Sequence, residues 1–413
     1  MACETGVTDR TVFDCELRDA QWDDTRGRWF VSTSRGDLTA EVLVAATGAL
    51  STPPTLPKVP GLELFRGTMF HSAEWNHDYD VTGKRVAVIG TGASAIQFVP
   101  RHRRQRRAPH ALPAHRLVGH AQARSHDRGP PGQSALPSIP VGAESGPRGR
   151  LRSEGNLRGR DDQAVRAQVA RAALRAPGPV DPREAGRRSG SAREADPPDF
   201  RIMCKRILLS NDWFPPAITR PDVTVVASGL TEVTENAVVD DKGNEYEVDA
   251  IIFGTGFTPT EPPVAQHLRG SNGRTLAETW NGSPSAHLGT AVHGFPPNLF
   301  LMYGPNTNLG HSSIVYMLES QATYIADAIR TMRTRGLGSV EVTDGAQQRY
   351  NDGLDPILAG TIWNAGGCQS WYLDRKGRNS VMWPTFTWKF RQATRRFDSE
   401  NYLARPAAEQ VNA

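Results

Sequence analysis

An α/β fold built on a parallel, doubly wound sheet is the expectation for this 413-residue chain, and three observations carry it. Lys84-Arg-Val-Ala-Val-Ile runs directly into Gly90-Thr-Gly92-Ala-Ser94-Ala95, an apolar strand that ends in a Gly-x-Gly-x-x-Ala turn and opens a helix. Glu41-Val-Leu-Val-Ala-Ala-Thr47-Gly48 and Asp249-Ala-Ile-Ile-Phe-Gly254-Thr255-Gly256 share a second design, a buried strand closed by small residues. Between Ser312 and Arg333 the apolar residues Ile314, Met317, Leu318, Ile325 and Ile329 fall at helical spacing. Uninterrupted apolar strands alternating with amphipathic helices are buried on both faces, which is the condition of a parallel sheet.

Each remaining element has its own signal. Thr11 to Val31 carries alternating pieces with turns at Asp23-Asp24 and Arg26-Gly27, read as strands of a small sheet. Val223-Thr-Val-Val-Ala and Glu245-Tyr-Glu-Val are further short strands. Pro53-Pro54-Thr-Leu-Pro57-Lys-Val-Pro60-Gly61 reads as a stiff, extended connection.

The Gly-rich turn is the first chemical feature. Gly90 permits a tight turn, Gly92 admits a phosphate close to backbone amides, and the helix beginning near Ser94 and Ala95 places positive potential there. A purely structural glycine turn is the plain alternative. The strand before it and the helix after it favour dinucleotide binding.

Bulk composition narrows the class. No apolar run reaches the length of a membrane span, and the start lacks a basic-then-apolar signal pattern. Cys3, Cys15, Cys204 and Cys368 have neither metal nor disulfide spacing, which fits a reducing, cytoplasmic protein and gives no metal site. The formal charge of +4 conceals an uneven distribution. Residues 101–197 hold 20 Arg and no Lys against 9 acidic residues, a net of +11, so the rest of the chain stands at −7. Residues 101–198 also lack Thr, Phe, Trp, Tyr, Met and Cys. Such a segment has little to bury and is expected to be a disordered insert over 101–197. A basic arm for nucleic acid or an anionic membrane is one reading, but such arms usually lie at a terminus and use Lys as well. No nucleic-acid partner is expected.

Phe65-Arg-Gly67-Thr-Met-Phe-His71-Ser-Ala-Glu-Trp75 precedes the Gly-rich turn. On composition alone it is a loop with buried aromatics and a structural histidine. Phe-x-Gly-x3-His-x3-Trp directly ahead of Gly-x-Gly-x-x-Ala resembles the Baeyer–Villiger monooxygenases. These flavoenzymes use FAD, NADPH and O2 to oxygenate a ketone to an ester or lactone.

The resemblance implies two Rossmann-like domains, the FAD domain being discontinuous in sequence. Residues 1–60 would be part of the FAD domain, 61–80 a linker bearing the signature, 81–255 the NADP domain, and 256–413 the remainder of the FAD and substrate domain. It also implies roles. Phe65, Gly67, His71 and Trp75 join the catalytic set, with His71 coupling domain motion to nicotinamide placement rather than acting as acid or base. Asp199-Phe-Arg-Ile-Met-Cys204-Lys205-Arg206 matches a Lys-Arg segment of the family. Lys205 would pair with the 2′-phosphate, and Arg206 would be a fixed cation facing the flavin where negative charge develops. A solvated Lys-Arg pair is the plain reading. Thr47, Gly48, Gly254, Thr255, Gly256 and Asn306, in Tyr303-Gly304-Pro305-Asn306, would lie along cofactor. Trp371 to Asn379 and Trp383 to Trp388 would form a substrate and cofactor wall.

Two departures stand against the family pattern. No Gly-x-Gly-x-x-Gly follows a strand before residue 40, so the FAD domain is expected to be incomplete, with an upstream aspartate also missing. The Arg-rich middle has the composition of GC-rich codons read out of frame. Codons for Arg107 to Val118 admit, in a neighbouring frame, the Phe-Gln-Arg-Thr followed by Trp that the family carries there. Beside ketone oxygenation, two readings therefore remain open: an S- or N-oxygenating flavin enzyme, and an inactive remnant.

Overall fold

The computed structural model describes residues 4–50, 56–102, 115–119, 223–310, 312–367 and 371–407. Its central sheet has five parallel strands in the spatial order Thr68–His71, Ala250–Phe253, Val86–Ile89, His115–Gly119 and Val223–Ala227. Both Ala250–Phe253 and Val86–Ile89 are buried along their whole length, as expected for central strands covered on both faces. One layer on this sheet contains Phe65, Ala87, Ile89, Ile251 and Phe253, and joins the three-stranded meander Leu230–Val233, Ala237–Asp240 and Glu245–Glu247. The opposite layer contains Phe70, Val86, Val88, Ile252 and Ala95. Ala95 belongs to the helix Ala93–His102.

Two sequence expectations are corrected in this sheet. The segment 101–197 was expected to be without structure, yet His115–Gly119 is a strand paired on both sides, and the helix begun at Ala93 runs through His102. The physical reason lies in the neighbours. Val86–Ile89 and Val223–Ala227 each present a row of backbone donors and acceptors, and a strand between them satisfies both rows. The rest of 101–197 lies outside the described residues. The stretch 61–80, read as a linker, contributes the edge strand Thr68–His71 to the same sheet.

A second sheet orders Leu268–Arg269, Leu17–Asp23, Arg28–Thr33 and Gly36–Ala40. Ala20 and Trp22 alternate inward from its first long strand, where Trp22 meets Trp29 edge-on, Trp29 stacks on Phe295, and all three share one core with Leu276 and Trp280. Of the strands expected between Thr11 and Val31, Leu17–Asp23 and Arg28–Thr33 are present as an antiparallel pair, whereas the piece over residues 11–13 is not a strand. The expected strand over Glu41–Thr47 is shorter and less enclosed: Leu43–Ala45 pairs in parallel with Leu299–Leu301 alone, and Val44 is 38% exposed. One pairing partner leaves its other edge uncovered among the described residues.

The expected long helix spans Ile314–Arg335. Met317, Tyr324, Ile325, Ala328 and Met332 are its buried face, and Gly336 in left-handed conformation ends it. It packs on the antiparallel pair Leu337–Val342 and Tyr402–Pro406.

Candidate functional site

The strands Thr68–His71, Ala250–Phe253 and Val86–Ile89 end level with one another, because Phe253 is in register with both His71 and Ile89. The Gly90 turn, the Gly254 turn and His71 therefore meet at one carboxyl edge, where α/β sheets bind ligands. Gly90 has φ +112°, and a Cβ there would lie 2.6 Å from the carbonyl oxygen of Gly254. The Gly254 amide donates to the Ile89 carbonyl at 2.8 Å. A Cβ on Gly254 would in turn touch Ala95 Cβ at 3.6 Å, so Ala95 is the small third residue that lets helix and strand pack closely. Gly92 is different. Nothing lies within 4 Å of a Cβ placed on it, so it faces open space at the helix mouth, with half-buried Ser94 beside it.

The aromatic–Gly–His–Trp signature is largely the support of this edge. Phe65 is buried in the layer below the sheet. Gly67 leaves no room for a side chain: a Cβ would lie 2.5 Å from the Asp249 carbonyl oxygen and 2.6 Å from the Phe65 ring. Trp75 meets Phe70 edge-on at 4.9 Å and Phe98 of the Gly-turn helix at 5.2 Å. The signature thus fixes the edge strand and the helix behind the Gly turn to each other. That explains why it directly precedes the turn in sequence. Of its four key residues, only His71 carries a titratable side chain.

His71 is 2% exposed, and its Nδ1 accepts from the Ala73 amide at 3.1 Å. That bond assigns the ring proton to Nε2 in the neutral form. Nε2 is buried and has no partner among the described residues. Burial holds the imidazole below its ordinary pKa, with Glu74 opposing in part. His71 is accordingly a neutral N–H donor, its ring edge-on to Phe257 at 5.9 Å.

A second locus is the cleft lined by Ala45, Thr47, Gly48, Thr260, Trp280, Tyr303, Pro305 and Ser380, among others. Thr47 and Gly48, the latter at φ +74°, follow the Leu43–Ala45 strand into it. The opposite wall is the Tyr303–Pro305 turn. Gln321 holds this turn from the buried face of the long helix. Its Oε1 accepts from the Tyr303 amide at 3.0 Å, and its Nε2 donates to Gly289 O and Thr290 Oγ1. The sequence expected Thr47, Gly48, Gly254, Thr255, Gly256 and Asn306 to lie along cofactor. The structure places Thr47 and Gly48 in the cleft, but Gly254 against the Gly90 turn. The following residues Pro259 and Thr260 reach the cleft wall, so a single short segment, including Thr255, Gly256 and Phe257, bridges the two loci.

Asn306 is 1% exposed and its side chain is committed elsewhere. Its Nδ2 donates to Asn379 O at 2.7 Å and Met382 O at 3.1 Å, and its Oδ1 accepts from Arg378 at 3.0 Å. It clamps the wall rather than presenting a group to a ligand. Arg378 is the hub of that clamp, donating also to Asp355, Asn351 Oδ1 and the Pro284 carbonyl. The sequence marked Arg378 only as part of the Trp371 to Asn379 wall and did not single out Gln321. Gln321 lies between Met317 and Ile325 on an apolar face, and a polar residue there was the available signal. Lys205, Arg206 and Cys204 lie outside the described residues. Among those described, Cys15 is a free thiol and no cluster suited to a metal ion occurs. No helix of the described residues is long and apolar enough to cross a membrane.

A strand–Gly turn–helix unit at the carboxyl edge of a parallel sheet, bridged to a second cleft lined by small-residue turns, defines a two-site dinucleotide-binding architecture. Comparison with known proteins makes this specific. The flavin-binding monooxygenase-like family matches residues 11–134. A Baeyer–Villiger monooxygenase of Streptomyces coelicolor is 41% identical over 99% of this chain and 78% of its own length. One from Pseudomonas aeruginosa is 42% identical over 96% of this chain and 74% of its own. The solved structure of an oxidized steroid monooxygenase bound to NADP superposes with TM-score 0.71 at 25% identity, covering 98% of this chain and 83% of that one. The chain belongs to the Baeyer–Villiger monooxygenase family.

Proposed function

We propose that this chain binds FAD and NADPH and oxygenates a ketone: ketone, O2, NADPH and a proton give an ester or lactone, water and NADP+. The observation that carries this reading is the segment from Gly254 to Thr260, which packs on the Gly90 turn at one end and lines the second cleft at the other. Two cofactors that exchange a hydride must be adjacent, and these two loci share one short piece of backbone. NADPH supplies the hydride and FAD, once reduced, the activation of oxygen.

The residues present fit both groups. At the first locus the left-handed Gly90 and the open Gly92 let backbone approach a pyrophosphate, and the Ala93–His102 helix adds its N-terminal potential. At the second, small residues leave room for a ring system, and Ser380 Oγ is buried without a partner among the described residues. His71 offers Nε2–H beside the bridging segment, suited to orient a ligand carbonyl and not to abstract a proton. Phe65, Gly67 and Trp75 act as positioning residues. The assignment of Lys205 to the 2′-phosphate and Arg206 to the flavin rests on resemblance. Residues 68–71 and 81–255 form the NADPH unit in this reading; 1–60 and 256–413 form the FAD and substrate unit.

The test is the flavin spectrum of purified protein and its bleaching by NADPH under anaerobic conditions. A colourless protein that acquires no flavin on reconstitution would make it an inactive remnant. Turnover of a sulfide with no turnover of any ketone would place it among S-oxygenating flavin enzymes.

A further inference from the structure

We infer that Ser380 is a flavin-binding residue, its hydroxyl being a hydrogen-bond donor held ready in the cleft wall; this rests on the FAD reading above. Ser380 is 2% exposed and lines the same cleft as Thr47, Gly48 and Pro305. Its Oγ is buried and has no hydrogen-bond partner among the described residues. A buried hydroxyl without a partner is costly, and proteins retain few of them without a reason.

The surroundings argue that the position is built. The Ser380 carbonyl accepts from the Asn306 amide at 2.9 Å, and Asn306 Nδ2 binds the flanking Asn379 and Met382 carbonyls. On the other side of the wall Arg378 locks Asn306 Oδ1 at 3.0 Å and Asn351 Oδ1 at 2.7 Å. Every polar neighbour of Ser380 named here is thus satisfied, while its own hydroxyl is left over. Flavin rings offer carbonyl oxygens and ring nitrogens as acceptors and few donors at their rim. A buried O–H left without a partner in the cleft wall matches that need.

The experiment compares wild type, Ser380→Ala and Ser380→Cys as apoproteins and during titration with FAD, read by flavin fluorescence quenching and visible absorption. Removing the hydroxyl should leave the melting temperature of the apoprotein unchanged or raise it, because an unsatisfied group is lost. FAD should bind about three- to tenfold more weakly, the loss of one hydrogen bond, with a displaced absorption maximum. Ser380→Cys, keeping size and a weak donor, should fall between the two. If wild type binds FAD and Ser380→Ala matches it in affinity and spectrum, the inference is overturned while the cofactor reading stands. A destabilised Ser380→Ala apoprotein with unchanged FAD affinity would make the serine structural. Failure of wild type itself to bind FAD would sink the cofactor reading and the inference with it.

Discussion

Gly90 and Gly254 meet backbone to backbone at the carboxyl edge of the sheet, so close that a Cβ on Gly90 would stand 2.6 Å from the Gly254 carbonyl oxygen. The two glycines end adjacent parallel strands, and their contact is what brings the Gly90 turn against the bridging segment. Gly90→Ala combines a φ of +112° with that collision. It should cost about 3 kcal/mol of folding stability by urea denaturation. Gly92→Ala meets no atom within 4 Å and has no backbone strain. It should change stability by less than about 0.5 kcal/mol and still weaken NADPH binding, since its Cβ occupies the space of the pyrophosphate. Equal NADPH affinity in Gly92→Ala and wild type would remove the nucleotide from that turn.

His71 gives a pH signature whose sign is fixed by burial. Its folded pKa lies below the ordinary 6.5, so above that value neither folded nor unfolded chain carries the proton. As pH falls through about 6.5 the unfolded chain takes up a proton that the folded protein resists, and stability is lost toward the lower folded pKa. In His71→Asn this loss is absent. The difference in unfolding free energy between wild type and variant should therefore shift against wild type from pH 7.5 to pH 5.5. A difference independent of pH across that interval would contradict a buried neutral imidazole.

Arg378 binds four residues on three segments through the guanidinium fork: Asp355 and Asn351 on one helix, Asn306, and the Pro284 carbonyl. Arg378→Ala leaves these acceptors stranded and should cost about 3 kcal/mol. Arg378→Lys keeps the charge but cannot span the same acceptors, and should recover only part of the loss. Both should speed FAD release, measured by flavin fluorescence after dilution. Full stability in Arg378→Ala would show the clamp to be dispensable.

The legible part of this protein was whatever local pattern determines. The Gly90 turn, the repeat of strand and small residues at Asp249–Gly256, and the periodic helix over Ile314–Arg335 each follow from neighbouring residues and took their expected form. The signature named the family, yet its sequence could not say that Phe65 and Gly67 pack under the sheet while only His71 presents a polar group to the edge. That division depends on Asp249 and Phe253, more than 150 residues away along the chain. The role of Arg378 was hidden for the same reason, because its partners Asn306, Asn351, Asp355 and Pro284 come from distant parts of the chain, and Gln321 was marked only by being polar on an apolar helix face. His115–Gly119 was hidden by its Arg-rich surroundings; its place comes from two flanking strands that need a partner, not from its own composition.

A buried polar network ties the long helix to the C-terminal strand, and its carboxylate should make the stability of the fold sensitive to acid. The Asp398 carboxylate accepts from His287 Nε2 at 2.8 Å, from Asn401 Nδ2 at 2.8 Å and from the Tyr324 hydroxyl, which lies 2.9 Å from the hydroxyl of Tyr402. Burial raises the carboxyl pKa, but the hydrogen bonds from His287 and Tyr324 outweigh it and hold the group below its ordinary 3.8. Burial also pushes the Tyr324 phenol upward, so it remains a donor throughout the accessible range. For a carboxyl with a depressed folded pKa, the stabilisation is complete above the unfolded value and is lost as pH falls through the folded one. Asp398→Asn should cost about 3 kcal/mol at pH 7, because His287 and Tyr324 lose a charged acceptor in a buried setting. It should also flatten the fall in stability below pH 4. Tyr402→Phe removes one neutral hydrogen bond and should cost about 1 kcal/mol with the acid limb intact. Urea midpoints followed from pH 7 to pH 3 distinguish the two variants. An acid limb in Asp398→Asn as steep as in wild type would transfer the acid sensitivity to another carboxylate.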